Sequence, residues 1–471
     1  MTKYTGVTIG PIFETINMAG SPASLWAASY MFSLISKTVC ETLVEKGVPE
    51  EDIIAPYYKK GDPLLSKNDG IGLFHDRIIF RSGTFDIVQF GEVRETVLEK
   101  AGQLLGIDSE YLKQYILLSA AEFEAENPLA ESGRVLDCLE LAVPYVFCEK
   151  ENPLISLFMG NEGKSISRNY AIRKITADFE KFQLRKNQAA IKTIEDIVST
   201  GTGKKKYRYY AIVRSDGDNT NKIIKNLDAS LQREFSKDCL AHCSKIAQLV
   251  EEFDGVTIYS GGDDLLAILP CESRSGKNLF EFTQRANEMY KENFRKYTEE
   301  ATLSFGIAVA YYKFMLGQSL AESAHLLFDI AKTKKNGVAI SVRKNSGQTD
   351  SIFAVNDHMD KIMFLQEATE APVNEGEVPI VLSEANEIAK KAVLFKQCSE
   401  KKDITNLFCN LFASAKNEFW QKHVPEMYAQ LQSGLEIKAI TEDGIVDDSV
   451  QALVYLLRIV NFFTEKEAAA R

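Results

Sequence analysis

The chain has 471 residues, 45% of them hydrophobic and 26% charged, with a formal net charge of −11. That is too long for one ordinary core and fits roughly three globular domains. The acidic balance excludes a generic nucleic-acid coat, but not a local basic groove or RNA held mainly by partner subunits. No uncharged apolar run reaches the ~18 residues of a membrane span, and the opening Met1-Thr-Lys-Tyr-Thr-Gly6 lacks a basic-then-apolar leader. A cytoplasmic protein with no membrane partner is expected.

The first unit, 1–165, is a βα-rich mixture. Strand-like Tyr4-Thr-Gly-Val-Thr-Ile9 leads into Gly10-Pro11. Ser21-Pro22 has the form of an N-cap followed by proline at the first helical position, and predicts a helix over Ala23–Lys46 that ends at Gly47. Strands are expected at Asp52–Tyr57 and Asp76–Phe80, and helices over 92–105 and 108–126. Residues 166–206 read as a charged helical linker ending in the Gly-rich basic loop Ser199-Thr-Gly-Thr-Gly-Lys-Lys-Lys206. The Lys204–Arg208 run is read as a solvated loop, the commoner origin of so short a charge run.

The third unit, 207–350, carries the clearest pattern. Strand Tyr209–Arg214 ends in Ser215-Asp-Gly-Asp218, and a long helix follows over about 220–252. Two apolar runs, Gly255–Tyr259 and Leu265–Leu269, then flank Ser260-Gly-Gly-Asp-Asp264, the signature of a β-hairpin. A helix near 276–299, strand Ala301–Tyr311, helix Ser319–Lys332 and strand Val338–Val342 complete the order βαββαβ plus one αβ, a ferredoxin-like plan. The last unit, 351–471, is expected to be α-helical, with helical periods over Ile380–Ser399, Asp403–Trp420 and Val446–Phe463.

Two adjacent carboxylates at a hairpin tip repel unless a cation neutralises them. In the ferredoxin-like plan the end of the first strand lies beside that tip, so Asp216 is expected to join Asp263 and Asp264 although 47 positions separate the first two. Converging acids of this kind hold the metals of two-metal phosphoryl transfer, here Mg2+ or Mn2+. Ser260, Gly261 and Gly262 are expected to receive the nucleotide, the glycines letting phosphate oxygens approach the backbone. Lys332 and Lys335, three apart on one helix face, are candidates for holding a triphosphate; helix C-terminal capping is their structural alternative. Asp218 either turns outward or assists the cluster.

Other chemistry-bearing residues carry less. The eight cysteines include no C-x-x-C pair, and Cys239, His242 and Cys243 lack a second ligand pair, so buried thiols and no zinc are expected. The five histidines have no metal spacing, and the dipeptide His75-Asp76 lacks the further ligands of a phosphohydrolase.

Three stretches resemble the large polymerase/cyclase subunit of type III CRISPR effector complexes, in its Cmr (III-B) form. Ile9-Gly-Pro-Ile-Phe13 with Ser24-Leu-Trp-Ala-Ala-Ser-Tyr-Met-Phe-Ser33 is similar to the family's first palm. Ser215-Asp-Gly-Asp-Asn219 with Ser260–Asp264 is similar to its catalytic second palm. Phe305–Ala310 through Lys332 and Ser341–Gly347 is similar to the segment that closes that palm. The resemblance implies an α+β fold with two ferredoxin-like palms, the first degenerate, and a C-terminal helical domain. It implies partnership with other effector subunits, guide RNA and target RNA, and target-activated joining of ATP by 3′–5′ bonds into cyclic oligoadenylate. By position, Asp216 and Asp263 would bind metal, and Asp264 would assist metal binding or activate the 3′-hydroxyl. Gly261, Gly262, Lys332 and Lys335 would hold phosphates, and the first palm would supply part of a second nucleotide pocket.

Two departures accompany the likeness: the first palm opens at residue 5, so the usual HD nuclease domain is expected to be missing, and the family's zinc-binding cysteine pairs are missing from the sequence. Family members without the nuclease domain leave open another product, the conjugate of S-adenosylmethionine with AMP. A stand-alone nucleotide cyclase of the diguanylate type and a catalytically silent scaffold are the remaining alternatives.

Overall fold

The computed structural model describes residues 2–17, 19–66, 71–83, 85–106, 108–142, 193–199, 208–370, 381–398, 400–412 and 418–464. Most of the expected helical linker and the lysines of the basic loop lie outside these residues.

In the first palm, β1 (Thr2–Gly10) is followed by helix α1 (Pro22–Glu45), β2 (Ile53–Ala55), β3 (Arg77–Arg81), helix α2 (Phe90–Leu105) and β4 (Leu117–Ala125). The sheet order β2-β3-β1-β4 is that of a ferredoxin-like fold. The Ser21 side chain accepts from the Ser24 amide and the Ser24 hydroxyl accepts from the Ser21 amide, so a reciprocal cap starts α1, with Pro22 at its first position. The segment 108–126, expected as one helix, divides into helix Ser109–Tyr115 and strand β4. Its Leu, Ala and Glu favour helix, but β1 pairs with it without interruption from Thr2↔Ala125 to Gly10↔Leu117, and this ladder outweighs local propensity.

The second palm repeats the plan. Strand β5 (Tyr209–Gly217) leads to helices α3 (Thr220–Asn226) and α4 (Gln232–Glu252), then to β6 (Val256–Gly261), β7 (Asp264–Pro270), helix α5 (Leu279–Phe294) and β8 (Leu303–Tyr311). The helix expected over 220–252 breaks at Asp228, whose carboxylate accepts from the Ser230 amide. Helix α6 (Leu316–His325) then returns the chain to β9 (Gly337–Arg343), parallel to β8. Three further strands, β10 (Thr349–Val355), β11 (Ile437–Thr441) and β12 (Gly444–Val446), extend the sheet to eight, in the order β12-β11-β10-β9-β8-β5-β7-β6. The region after 350 thus carries strands as well as helices. Its β11–β12 hairpin turns at Glu442-Asp443 and resumes pairing at Gly444, whose φ is +102°; Asp443-Gly444 is a dipeptide turn signal that helical periodicity passes over.

Successive residues of β5 serve opposite faces. Ala211 and Val213 join a core with α4, α5 and the C-terminal helices, including Ser449–Thr464. Tyr210 and Ile212 join a second core with α1 and the first-palm strands. The second-palm sheet is therefore covered on both sides, and the palms share one apolar interior. Arg233 of α4 fixes the junction: its guanidinium donates to the carbonyls of Ile53, Glu50 and Tyr58 and lies 4.7 Å from the Tyr57 ring centroid.

Candidate active site

The β5–β7 ladder runs from Tyr210↔Pro270 to Ser215↔Leu265, and the β6–β7 hairpin closes at Gly261↔Asp264. One residue beyond the ladder, Asp216 therefore lies beside the hairpin tip. Carboxylate oxygens of Asp216, Asp263 and Asp264 all lie within 4.8 Å of one another, as the strand order requires. Gly262 makes the turn at φ +69°, while Asp263 keeps an ordinary negative φ; this is the sign pattern of a type II′ hairpin turn. Gly217 is needed for space. A Cβ there would lie 2.7 Å from Asp263 Oδ2 and would strike the Tyr290 hydroxyl.

Crowding sets the electrostatics. Burial, then the Asp216 charge, pushes Asp263 up to about 6, against a 2.5 Å hydrogen bond donated by the Thr220 hydroxyl. Asp264 is raised well above the usual carboxylate range by burial and then by Asp263 and Asp216. Its carboxylate stands in the cleft between the palms and still meets solvent. Three hard oxygen donors that resist simultaneous ionisation fit a divalent cation of the Mg2+ or Mn2+ type.

Asp218 turns inward. It is fully buried and accepts from the Thr302 hydroxyl at 2.8 Å, the Ser304 hydroxyl at 2.8 Å and the Asn336 amide at 2.7 Å. Lys332 Nζ lies 2.7 Å from Asp216 Oδ2 and 3.3 Å from Asp218 Oδ1, and donates to the Gly217 carbonyl at 2.6 Å. Lys335 does not share a helical face with Lys332. The helix ends at Lys334, and Lys335, at φ +62°, reaches Asn219 Oδ1 at 2.8 Å. Both lysines nonetheless line one cleft of about 830 Å³ with Asp216, Asn219, Thr220 and Asp263, a volume suited to a nucleotide.

Ser260 sits behind the turn. Its amide donates to the Gly72 carbonyl at 3.0 Å, and its buried hydroxyl faces the Cys243 carbonyl at 3.4 Å. Gly261 and Gly262 line a cavity of about 320 Å³ between the palms, together with Tyr57, Asp76, Ile224, Phe235 and both hairpin aspartates. On the other side of Asp264, a chamber of about 170 Å³ is lined by Ile12, Ser29, Phe32, Phe74, Asp76 and Arg214. The hairpin tip thus stands between two cavities, and Asp76 of the first palm borders both.

His75 is half-buried and held neutral, desolvation lowering it to about 4. Cys239 and Cys243 are buried, with burial pushing both thiols up. Sequence reasoning left out Thr220, Tyr290 and Arg233, and set Asp76 aside with His75 as a lone dipeptide. Thr220 follows the Asp-Gly-Asp-Asn turn at the first position of α3, where a hydroxyl reaches back toward the strand end; nothing local marks Tyr290 and Arg233.

Two family models match the chain: Cas10/Cmr2, second palm domain, over residues 209–339, and CRISPR-associated protein Cmr2, N-terminal, over residues 4–101. No curated protein matches. Among solved structures, an apo type III-B Cmr-beta chain is similar at TM-score 0.59 and 12% identity, with 98% of this chain and 82% of that chain covered. A Csm1–Csm4 cassette in complex with cA4 is similar at TM-score 0.55 and 15% identity, with 98% and 70% covered. The same cassette with one ATP gives TM-score 0.53 at 15% identity over 98% and 70%. At these identities the likeness is one of fold. With the N-terminal region and the acidic second palm each matched by a model of its own, residues 4–101 and 209–339 of the chain are similar to the palm-domain subunits of the Cas10/Cmr2 family.

Proposed function

We propose that the chain is a target-RNA-activated nucleotidyltransferase of a type III CRISPR antiviral complex. In this reading the 3′-hydroxyl of one nucleotide attacks the α-phosphate of ATP, a 3′–5′ bond forms and pyrophosphate leaves. Repetition and closure give cyclic oligoadenylate. The carrying observation is the convergence of Asp216, Asp263 and Asp264 within 4.8 Å at a sheet edge open to a nucleotide-sized cleft.

The three aspartates would hold the divalent cations. Such cations, when bound, acidify the attacking hydroxyl and neutralise the triphosphate and leaving group. Lys332 and Lys335 supply positive charge along the 830 Å³ cleft, and Gly217 keeps side-chain bulk out of it. Asp76 and the first-palm loop around Phe74 border the space left for the acceptor. Relatives of similar fold were solved with cA4, with pppApA and with ATP, which supports adenylate chemistry here. Other relatives were solved as the type III-B Cmr-beta assembly, one bound to cognate target RNA; this supports effector subunits, guide RNA and target RNA as partners.

One observation favours a second acceptor. The Asp76 carboxylate borders both cavities and is raised by burial, as expected of an acid without full compensation. A cationic group such as the ammonium or sulfonium of S-adenosylmethionine suits that position better than a phosphate does. The test uses the assembled complex with matching target RNA, Mg2+ or Mn2+ and labelled ATP, with and without S-adenosylmethionine, the products being resolved by mass spectrometry. Oligoadenylates from ATP alone support the cyclase reading. A product that requires S-adenosylmethionine changes the acceptor. No product in either arm, with target bound, leaves a scaffold.

A further inference from the structure

One short helix connects the acidic hairpin to the first palm. Helix α3 has seven residues and is roughly 10 Å long. At its first position the Thr220 hydroxyl donates to Asp263 Oδ2. At its other end the Ile224 carbonyl accepts a 2.7 Å hydrogen bond from the side-chain amide of Asn127, a first-palm residue. The carbonyls of Lys225 and Leu227 lie 3.4 Å from the same nitrogen. The last carbonyls of a helix have no partner within it, and here the first palm supplies one.

Asn127 joins three elements. Its Oδ1 accepts from the side-chain amide of Gln232, the buried first residue of α4, at 2.7 Å, and from the Ala130 backbone amide at 3.1 Å. Its backbone amide donates to Glu131 Oε1 at 2.9 Å, and its carbonyl accepts from the Glu131 amide at 3.0 Å. Every polar group of the residue is engaged. Two donors at Oδ1 and a carbonyl at Nδ2 also fix which way the side-chain amide points. Asn127 opens helix Pro128–Ala142, which is tied to the first-palm sheet. There Arg77 Nη2 lies 2.6 Å from Asp137 Oδ1, and the Thr8 hydroxyl donates to Glu140 at 2.6 Å. Leu129 and Ser132 of that helix line the 320 Å³ cavity together with Thr220 and Ile224 of α3 and with Asp263.

We propose that Asn127 is a positioning residue for the acidic site. It fastens the far end of α3 to the first palm, so that Thr220 at the near end keeps Asp263 beside Asp216 and Asp264. A displacement of helix Pro128–Ala142 then reaches Asp263 through seven residues. Capping its own helix would need only the bond from Ala130; the bonds to α3 and α4 are additional to it. A polar residue that bridges three elements with all its groups paired holds them in one arrangement. The effect on synthesis rests on the catalytic reading, whereas the effect on α3 does not.

The experiment pairs hydrogen–deuterium exchange of the full chain, read by mass spectrometry, with steady-state synthesis by the assembled complex. Asn127→Ser keeps an oxygen that caps the Ala130 amide but loses the reach to Ile224. Asn127→Asp keeps the cap and sets an acceptor against the Ile224 carbonyl. In both variants exchange over 220–226 is expected to rise about fivefold, while helix Pro128–Ala142 keeps its protection. The kcat is expected to fall about tenfold with the KM for ATP within about twofold, as for a misplaced catalytic group. In a Thr220→Val background the connection is already cut, so Asn127→Ser should lower kcat by less than about twofold more. Unchanged exchange over 220–226, an unchanged kcat, or a full further tenfold loss on top of Thr220→Val overturns the proposal. So does a rise in exchange spread over the whole chain, which would make Asn127 a folding residue. Absence of product from the unmodified complex overturns the catalytic reading instead, and exchange over 220–226 then decides the inference alone.

Discussion

The ammonium of Lys332 lies 2.7 Å from Asp216 Oδ2, so one cation already neutralises a carboxylate of the site before any substrate arrives. The same ammonium holds the Gly217 carbonyl and Asp218. The Lys335 ammonium, by contrast, donates to the Asn219 side chain at the rim. Lys332→Ala is therefore expected both to raise the ATP concentration for half-maximal synthesis and to lower the melting temperature. Lys335→Ala should raise the ATP requirement with melting unchanged. Steady-state kinetics beside thermal scans separate the two. An unaltered ATP requirement in Lys332→Ala would return that lysine to a purely structural role.

Asp218 organises the loop without joining the acidic triad. Replacing it with Ala leaves the Thr302 and Ser304 hydroxyls, the Asn336 amide and part of the Lys332 charge uncompensated. Removing one partner of such a buried network costs about 3–5 kcal/mol. A melting temperature lower by several degrees is expected, with Mn2+ binding retained in the chain that stays folded. Loss of Mn2+ binding without loss of stability would instead make Asp218 a ligand.

The Asp216, Asp263 and Asp264 assembly was legible in the sequence because β-strand order is a topological matter. Once βαββαβ is read, the end of the first strand must neighbour the central hairpin. The Ser21-Pro22 cap was legible for a local reason, since one residue pair determines it. Strand β4 was not, because its composition favours helix and only pairing with β1 makes it extended. Nor were Asp76, Tyr290 and Arg233, whose roles come from elements far apart in the chain; Arg233 reaches residues 175–183 positions away. Lys335 was placed on a helix face because its spacing from Lys332 fits one, but the chain turns left-handed there and ends the helix.

Asp263 and Asp264 together supply two of the three converging carboxylates. Replacing both with Ala should abolish nucleotide product, a loss of at least about a thousandfold on the scale of electrostatic transition-state contributions. Complex assembly should survive, since neither side chain contributes to the shared apolar cores. Mass photometry of the complex alongside product analysis checks both halves. Retained synthesis would sink the assigned site.

Gly217→Ala tests the space beside the triad. The added methyl would meet Asp263 Oδ2 at 2.7 Å, the Thr220 hydroxyl at 2.7 Å and the Tyr290 hydroxyl. Since Thr220 positions Asp263, the expected result is a tenfold or greater loss of synthesis, on the order of what misplaced catalytic groups cost. Complex formation should persist. Full activity would mean that the hairpin tip can shift without consequence.

The pH dependence follows from the raised carboxyls. Asp263 is moved from 3.8 to about 6 in the folded chain, chiefly by burial and then by Asp216. A raised folded pKa means that its favourable contribution is complete below the unfolded value and is lost as pH rises through about 6. The cation-free chain should therefore melt at lower temperature at pH 7 than at pH 5, as far as this group decides it. Divalent cations bind the ionised acids and reverse the sign, because protons compete with metal below about 6. Mn2+ should raise the melting temperature strongly at pH 7.5 and weakly at pH 5, with calorimetric affinity falling in step. Asp263→Asn removes the titrating group and should flatten both trends. A metal affinity independent of pH across this range would show that the triad is not where the cation binds.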